Sequence, residues 1–181
     1  SWNDGANNLR YWKFERLEVK GGKLAGIAIN RGPFIVRYCY IYDNKIDTYE
    51  NNPGSLRGYR WENCLVEYNY FLDNGSTATT HHNCAHIQIF SDYAYSNYDI
   101  NSCTKKNEVR YNLFNASSSS NKIGCGYKNK AAQYLGHASN GIMTDMTYKD
   151  YGDKIHHNIF LNTVRAVFGR QYFQQVYNNI S

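Results

Sequence analysis

Apolar and polar residues alternate along several short segments of this chain, and these segments share one recurring phrase. The clearest copies are 66–71, 109–114 and 155–160, each with an asparagine at the fourth position, and 176–180 is a shortened copy. Two degenerate copies, 14–19 and 36–41, carry Leu17 and Cys39 in the asparagine place. The six fixed positions are 22, 30, 43, 46 and 21 residues apart, which we interpret as one or two units of about 22 residues. A repeat of this length predicts a solenoid, in which each unit buries its apolar face by stacking on its neighbours.

The repeat is predicted to consist of β-strands. Apolar residues occur at every second position and are mostly Val, Ile, Tyr and Phe, which suit a half-buried pleated surface. A second short strand is predicted before most copies, at 26–30, 86–90, 141–145 and 166–170, and turn-forming residues separate the strands. We find no segment with helical periodicity and a cap. The expected fold is an all-β, right-handed parallel β-helix of about 22 residues per coil and roughly seven to eight coils.

Length and chain ends refine this interpretation. The 181 residues are expected to form one β-helix domain, 1–181, with an insertion loop near 91–106. The chain ends within a repeat, so we expect a processed chain, part of a longer one, or one whose end is covered by another element. Uncapped coils could also self-associate. No apolar run reaches the roughly 20 residues that cross a bilayer, so no membrane span is expected.

The repeated asparagines are interpreted as structural. An amide side chain has donors and an acceptor, so residues in the same place on successive coils can bond the coils above and below. The predicted ladder comprises Asn69, Asn112, Asn158 and Asn179. Cysteines recur about once per coil, at positions 39, 64, 84, 103 and 125. They fit buried small residues or bridges between neighbouring coils, and their spacing lacks the pairs typical of zinc sites.

Four phrases, 11–44, 63–76, 107–117 and 153–163, resemble right-handed parallel β-helix proteins of the pectate-lyase-like superfamily. The resemblance implies a secreted or cell-surface protein that handles polysaccharides, with a site on the outward face of one stacked strand. Family members include lyases, hydrolases, esterases and non-catalytic surface proteins, and calcium-dependent lyases of this fold hold the ion with Asp residues. The corresponding strand here, 83–89, has no acidic residue. We therefore assign no metal site, although calcium stays open as a cofactor.

Polar residues predicted to face outward on the short strands supply the candidate site. Cations and amides in a row suit the anionic groups and hydroxyls of a uronate or sulfated sugar. The predicted catalytic residues are His86, Gln88 and Arg170. The predicted substrate-binding residues are Arg60, Lys128 and Asp145 on the same face, together with His82, Asp92 and Tyr95 from the loop segments beside β-strand 86–90. Another outward row has alternating charges at Glu15, Arg37, Glu67, Arg110 and His156, and we interpret it, together with His157, as a solvated packing face.

A net charge of +5 favours a polyanionic partner. Nucleic acid is not expected, because the basic residues are scattered and no nucleic-acid-binding motif occurs. The favoured function is a secreted lyase-type enzyme acting on an acidic polysaccharide. The alternatives are a non-catalytic glycan-binding or adhesive module and a filament-forming structural solenoid.

Overall fold

The computed structural model describes residues 11–22, 25–46, 54–76, 85–90, 106–115, 140–144, 152–163, 166–169 and 175–181. These ranges contain strands and turns and no helix, so the part of the chain that the structure describes is all-β. The strands in chain order are β1 Trp12–Glu15, β2 Glu18–Lys20, β3 Ile27–Ala28, β4 Phe34–Arg37, β5 Tyr40–Tyr42, β6 Lys45–Ile46, β7 Gly54–Tyr59, β8 Leu65–Glu67, β9 Tyr70–Leu72, β10 Gly75–Ser76, β11 Ala85–Phe90, β12 Glu108–Arg110, β13 Leu113–Asn115, β14 Asn140–Thr144, β15 Lys154–His156, β16 Ile159–Leu161, β17 Val167–Gly169 and β18 Gln175–Tyr177.

The strands stack in parallel into three sheets and one short pair. The first sheet has the order β1-β4-β8-β12-β15-β18, the second β2-β5-β9-β13-β16 and the third β3-β7-β11-β14-β17, while β6 pairs with β10. Equivalent positions of the repeated phrase are in register, as in Val36 opposite Val66 and Val66 opposite Val109. This arrangement is compatible with the parallel β-solenoid that the repeat predicted.

The stacking differs from the predicted spacing in one respect. Strand β8 pairs directly with β12, and β12 pairs directly with β15. The separations of 43 and 46 residues therefore each join adjacent rungs, where the sequence interpretation placed two coils. The first sheet consequently has six strands in the described ranges, compared with the expected seven to eight coils. The additional chain lies within single turns, because a solenoid accommodates insertions between strands without changing the stack.

The core lies between the sheets and is built from columns of like residues. Phe71, Phe114 and Phe160 are buried and stack with successive ring centroids 4.8 Å apart. Phe34 meets Trp61 edge-on at 4.7 Å, and both side chains are fully buried. Full burial of such a side chain stabilises a fold by roughly 1.5–3 kcal/mol, so these columns hold the rungs together.

The four ladder asparagines lie in one column beside this core. Asn112 donates through Nδ2 to Oδ1 of Asn158 at 3.0 Å and to the carbonyl of Val66 at 2.9 Å. Its own Oδ1 accepts from the backbone and side-chain amides of Asn69, both at 3.0 Å. Asn179 accepts in the same way from Asn158. The side chain on an interior rung donates to the rungs on both sides and also accepts from one of them, which a carboxylate cannot do, and this explains the recurrence of asparagine.

Two of the five cysteines lie in the described ranges. Cys39 and Cys64 are both buried and both free. Burial raises the pKa of the Cys64 thiol to about 12. These two cysteines therefore serve as small core residues, and the other three lie outside the described part of the chain. In the ranges given above, no helix is long and apolar enough to cross a membrane.

Candidate functional site

The strand that was predicted to carry the catalytic groups is closed to solvent. His86 and Gln88 both lie on β11 and both have an exposed fraction of 0 %. The alternation of polar and apolar residues predicted that both side chains face outward, and this placement is wrong. All five residues from 85 to 89 are buried, because both faces of this part of the third sheet are covered. Alternation along a strand reports exposure only when one face of the sheet meets water.

His86 lies against the aromatic core. Its ring centroid is 6.1 Å from that of Phe71 and 5.8 Å from that of Phe114. Asn74 Nδ2 lies 3.2 Å from Nδ1 of His86, which makes Nδ1 the acceptor and leaves the proton of the neutral ring on Nε2. Burial lowers the pKa of His86 to about 3. In this position the imidazole is a neutral core residue that a polysaccharide does not reach.

The structure does not assemble the other predicted site residues into a groove. Arg60 is half-buried and occupies the turn after β7 with a φ of 55°. The remaining predictions fall outside the described residues, namely His82, Asp92, Tyr95, Lys128, Asp145 and Arg170. Their roles stay predictions from the sequence.

A different surface carries an ordered row of polar and aromatic groups. Tyr38, Tyr68 and Tyr111 occupy the same turn, immediately before the asparagine ladder, on three successive rungs, and they are 49, 45 and 41 % exposed. The rings are nearly parallel, with centroids 5.3 Å and 5.2 Å apart. His157 continues the row, with its ring centroid 5.1 Å from that of Tyr111. We call these four residues the tyrosine–histidine stripe.

The backbone of this turn is left-handed throughout. Its φ values lie between 52° and 56° at Arg16, Tyr38, Tyr68, Tyr111, His157 and Asn178. This conformation disfavours residues with a Cβ by roughly 1–2 kcal/mol, and glycine or asparagine is the usual occupant. The chain nevertheless places large side chains there. The turn directs them away from the sheets, which explains their exposure.

A ladder of paired charges borders the stripe on the first sheet. Arg37 Nε lies 2.9 Å from Oε1 of Glu15, and Arg110 Nε lies 2.9 Å from Oε2 of Glu67. Arg37 also lies 3.8 Å from Glu67, so the two arginines share that nearly buried carboxylate. The alternating signs in the sequence predicted such cross-strand pairs, and the structure confirms them. The row was also predicted to be solvated, and this is wrong for Glu67 and His156, which are 5 % and 6 % exposed, because Arg37 and Arg110 lie against Glu67 and Tyr177 stacks on His156.

The stripe ends at a hydrogen-bonded chain of three titratable groups. Glu108 Oε1 lies 2.7 Å from Nε2 of His156, and Nδ1 of His156 lies 2.7 Å from Nδ1 of His157. His156 is 6 % exposed and stacks on Tyr177 with centroids 4.7 Å apart, whereas His157 is exposed. Burial alone would raise the pKa of Glu108, but the hydrogen bond from His156 and the charge of Arg110 outweigh it and lower the pKa.

This arrangement was missed by the sequence interpretation, which treated both histidines as packing. The available signal was the position itself, since Tyr38, Tyr68, Tyr111 and His157 all immediately precede the asparagine place of the repeat. The described residues include no group of three or more His, Cys, Asp or Glu side chains that could hold a metal ion. Comparisons with protein-family models, curated proteins and solved structures find no match for this chain.

Proposed function

We propose that this chain is an extracellular glycan-binding protein with a right-handed β-helix of the pectate-lyase-like type. Its ligand is an extended acidic or sulfated polysaccharide, which lies along the tyrosine–histidine stripe. The observation that carries the proposal is the regular exposed column of Tyr38, Tyr68 and Tyr111 with His157 at its end. A row of like groups, one per rung, suits a ligand that is itself a linear repeat.

The conformation of the turn supports a role beyond packing. Asparagine would occupy the left-handed turn with less strain than tyrosine does, and stability alone would favour it. Three exposed tyrosines in strained positions are therefore best explained by a use for their side chains at the surface.

The stacking geometry indicates how these tyrosines contact a sugar. The rings lie 9° and 8° from parallel, so each covers much of its neighbour's face. The ring edges and hydroxyls are thus the groups left for a ligand, and the phenol hydroxyls can exchange hydrogen bonds with sugar hydroxyls. Arg37 and Arg110, with guanidinium carbons 5.5 Å and 5.7 Å from the ring centroids of Tyr38 and Tyr111, place positive charge beside the same column. Such cations attract carboxylate or sulfate groups.

Binding without catalysis fits the described residues better than a lyase does, because His86 and Gln88 are buried. A structural solenoid is the second candidate. It is favoured by the charge ladder, in which the arginines already pair with glutamates of the same face. A face whose charges are matched internally has less need of a charged partner.

Affinity electrophoresis through gels that contain polygalacturonate, heparin or dextran sulfate tests the proposal. We expect the wild-type chain to be retarded and Tyr68→Asn to lose much of the retardation while keeping its fold, since asparagine suits the turn. Tyr68→Phe should lose a similar share, because the hydroxyl rather than the ring face makes the contact. Tyr11→Asn, at a tyrosine that is 60 % exposed but outside the stripe, is the matched control and should behave as wild type. Absence of retardation of the wild-type chain in every gel would favour the structural solenoid, and equal retardation of all variants would place the glycan-binding surface outside the stripe.

A further inference from the structure

The contact between His156 and His157 restricts how many protons the pair can hold. Two nitrogens 2.7 Å apart share one proton, because two N–H groups cannot point at each other at that distance. Nε2 of His156 faces the carboxylate of Glu108 and keeps its proton as the donor of that bond. Only Nε2 of the exposed His157 is then free to gain or lose a proton. While the contact lasts, the pair carries at most one positive charge.

Two proton arrangements follow. In the neutral state, His157 donates from Nδ1 to Nδ1 of His156, and its exposed Nε2 is a hydrogen-bond acceptor. When Nε2 of His157 takes up a proton, the shared proton can move to His156, which becomes an imidazolium ion beside Glu108. The exposed nitrogen is then a donor, and the positive charge is stabilised by the carboxylate 2.7 Å away.

The groups around the pair come from three strands and their turns. On β12, Glu108 favours the charged state, whereas Arg110, which binds Glu108 at 3.0 Å, opposes it. Lys154 lies two residues before His156 on β15 and adds a positive charge. The turn after β18 contributes Asn178, whose Nδ2 lies 3.5 Å from Nε2 of His157 and can donate to it, which favours the neutral state. Tyr111 and Tyr177 flank the two imidazole rings.

From this geometry we infer that Nε2 of His157 is a proton-switched subsite for an oxyanion, the carboxylate or sulfate of a bound sugar. The inference rests on the proposed glycan-binding function and adds its regulation. In the neutral state, an acceptor nitrogen faces the oxyanion and repels it. In the protonated state, a charged pair presents an N–H donor at the end of the stripe, where it can bind the same group. Transfer of the shared proton to His156, which we call the relay, places the positive charge beside Glu108. The exposed ring of His157 then donates from Nε2 to the oxyanion.

Isothermal titration with oligogalacturonates and with heparin oligosaccharides, at about pH 5.5 and about pH 8, tests the inference, because imidazoles change charge between these values. We expect the wild-type chain to bind about tenfold more tightly at the lower pH, the typical effect of gaining one charge-assisted hydrogen bond. His157→Gln should bind equally at both pH values. Arg16→Gln, at the same turn position on the first rung, is the matched control and should retain the full pH effect. A pH effect with heparin oligosaccharides alone would identify sulfate as the group bound, because oligogalacturonates carry only carboxylates. A pH effect with oligogalacturonates alone would identify carboxylate.

The outcomes separate the subsite from the function on which it rests. Binding that is equally tight at both pH values in the wild-type chain would overturn the switch and leave the glycan-binding function standing. If the wild-type chain binds neither oligosaccharide at either of the two pH values, both the glycan-binding function and the subsite are overturned. An NMR titration of the imidazole resonances follows the protonation of the pair without a ligand. We expect His156→Gln to change the pH dependence of the His157 resonances. Independent titration of the two rings as separate one-proton groups would contradict the relay.

Discussion

The burial of His86 has a measurable consequence for the pH dependence of stability. In an unfolded chain a histidine gains a proton near pH 6.5, whereas burial lowers the pKa of His86 in the folded state to about 3. Between these two values the unfolded state binds more protons than the folded state does. Stability is therefore fully present above about pH 6.5 and falls as the pH is lowered towards 3.

The size of the effect follows from the two pKa values. Each unit of pH between them changes the free energy of unfolding by about 1.36 kcal/mol. Through His86 alone, the free energy of unfolding should be about 2 kcal/mol lower at pH 5 than at neutral pH, and about 5 kcal/mol lower at pH 3. Carboxylates add their own losses at low pH, so the effect of His86 must be measured as a difference between two proteins.

Urea unfolding of the wild-type chain and of His86→Asn, at pH 7.5 and at pH 5, provides that difference. Asparagine places Oδ1 near the position of Nδ1 and can still accept from Asn74, but it does not titrate. The variant should be less stable at pH 7.5, because a smaller side chain leaves a cavity. On going to pH 5 the wild type should lose about 2 kcal/mol more than the variant. Equal losses would show that His86 is accessible to protons in the folded state and would refute its placement in the core.

Three further expectations concern the stack itself. Asn112→Ala should lower the free energy of unfolding by about 3–5 kcal/mol, because it leaves several buried amides and carbonyls of neighbouring rungs without partners. Asn162→Ala, at an exposed amide in a left-handed turn, should cost only about 1 kcal/mol in the same urea titration, through backbone strain alone. Gly58→Ala should cost about 3 kcal/mol or more by thermal unfolding, because the added Cβ would overlap the carbonyl oxygen of Ile29. Cys64, a buried thiol with a raised pKa, should resist labelling at about pH 8 in the folded chain and react after unfolding, as mass spectrometry of the labelled peptide can show.

The parallel stacking of strands could be predicted from the repeated motif, because every copy must align its equivalent residues with those of the neighbouring rungs. Inward Val66 and Val109 and the ladder pair Asn69 and Asn112 must align between rungs, and the register places each opposite its equivalent. The spacing could not reveal how many residues one rung contains. A solenoid needs only that equivalent positions stack, so an insertion of about 20 residues within one turn looks in the sequence like an additional coil.

The candidate site was harder to predict, because exposure in this fold depends on what covers each sheet. His86 and Tyr68 both follow a strand-like pattern, yet one is fully buried and the other is 45 % exposed. Strand alternation distinguishes the two faces of a strand but not which face meets water. The left-handed turn that exposes Tyr68 and His157 is visible only in the backbone. Likewise, Glu108 and His156 are 48 residues apart and meet only because β12 pairs with β15.

The most direct test of the account replaces the column as a whole. Isothermal titration of sulfated and uronic oligosaccharides should be carried out with the wild-type chain and with Tyr38→Asn/Tyr68→Asn/Tyr111→Asn, after circular dichroism and urea unfolding have shown that the triple variant is folded. We expect the wild type to bind at least one acidic oligosaccharide, and the triple variant, as stable as the wild type or more so, to bind none. Equal binding by the two proteins would contradict it and would place the glycan-binding surface elsewhere on the solenoid.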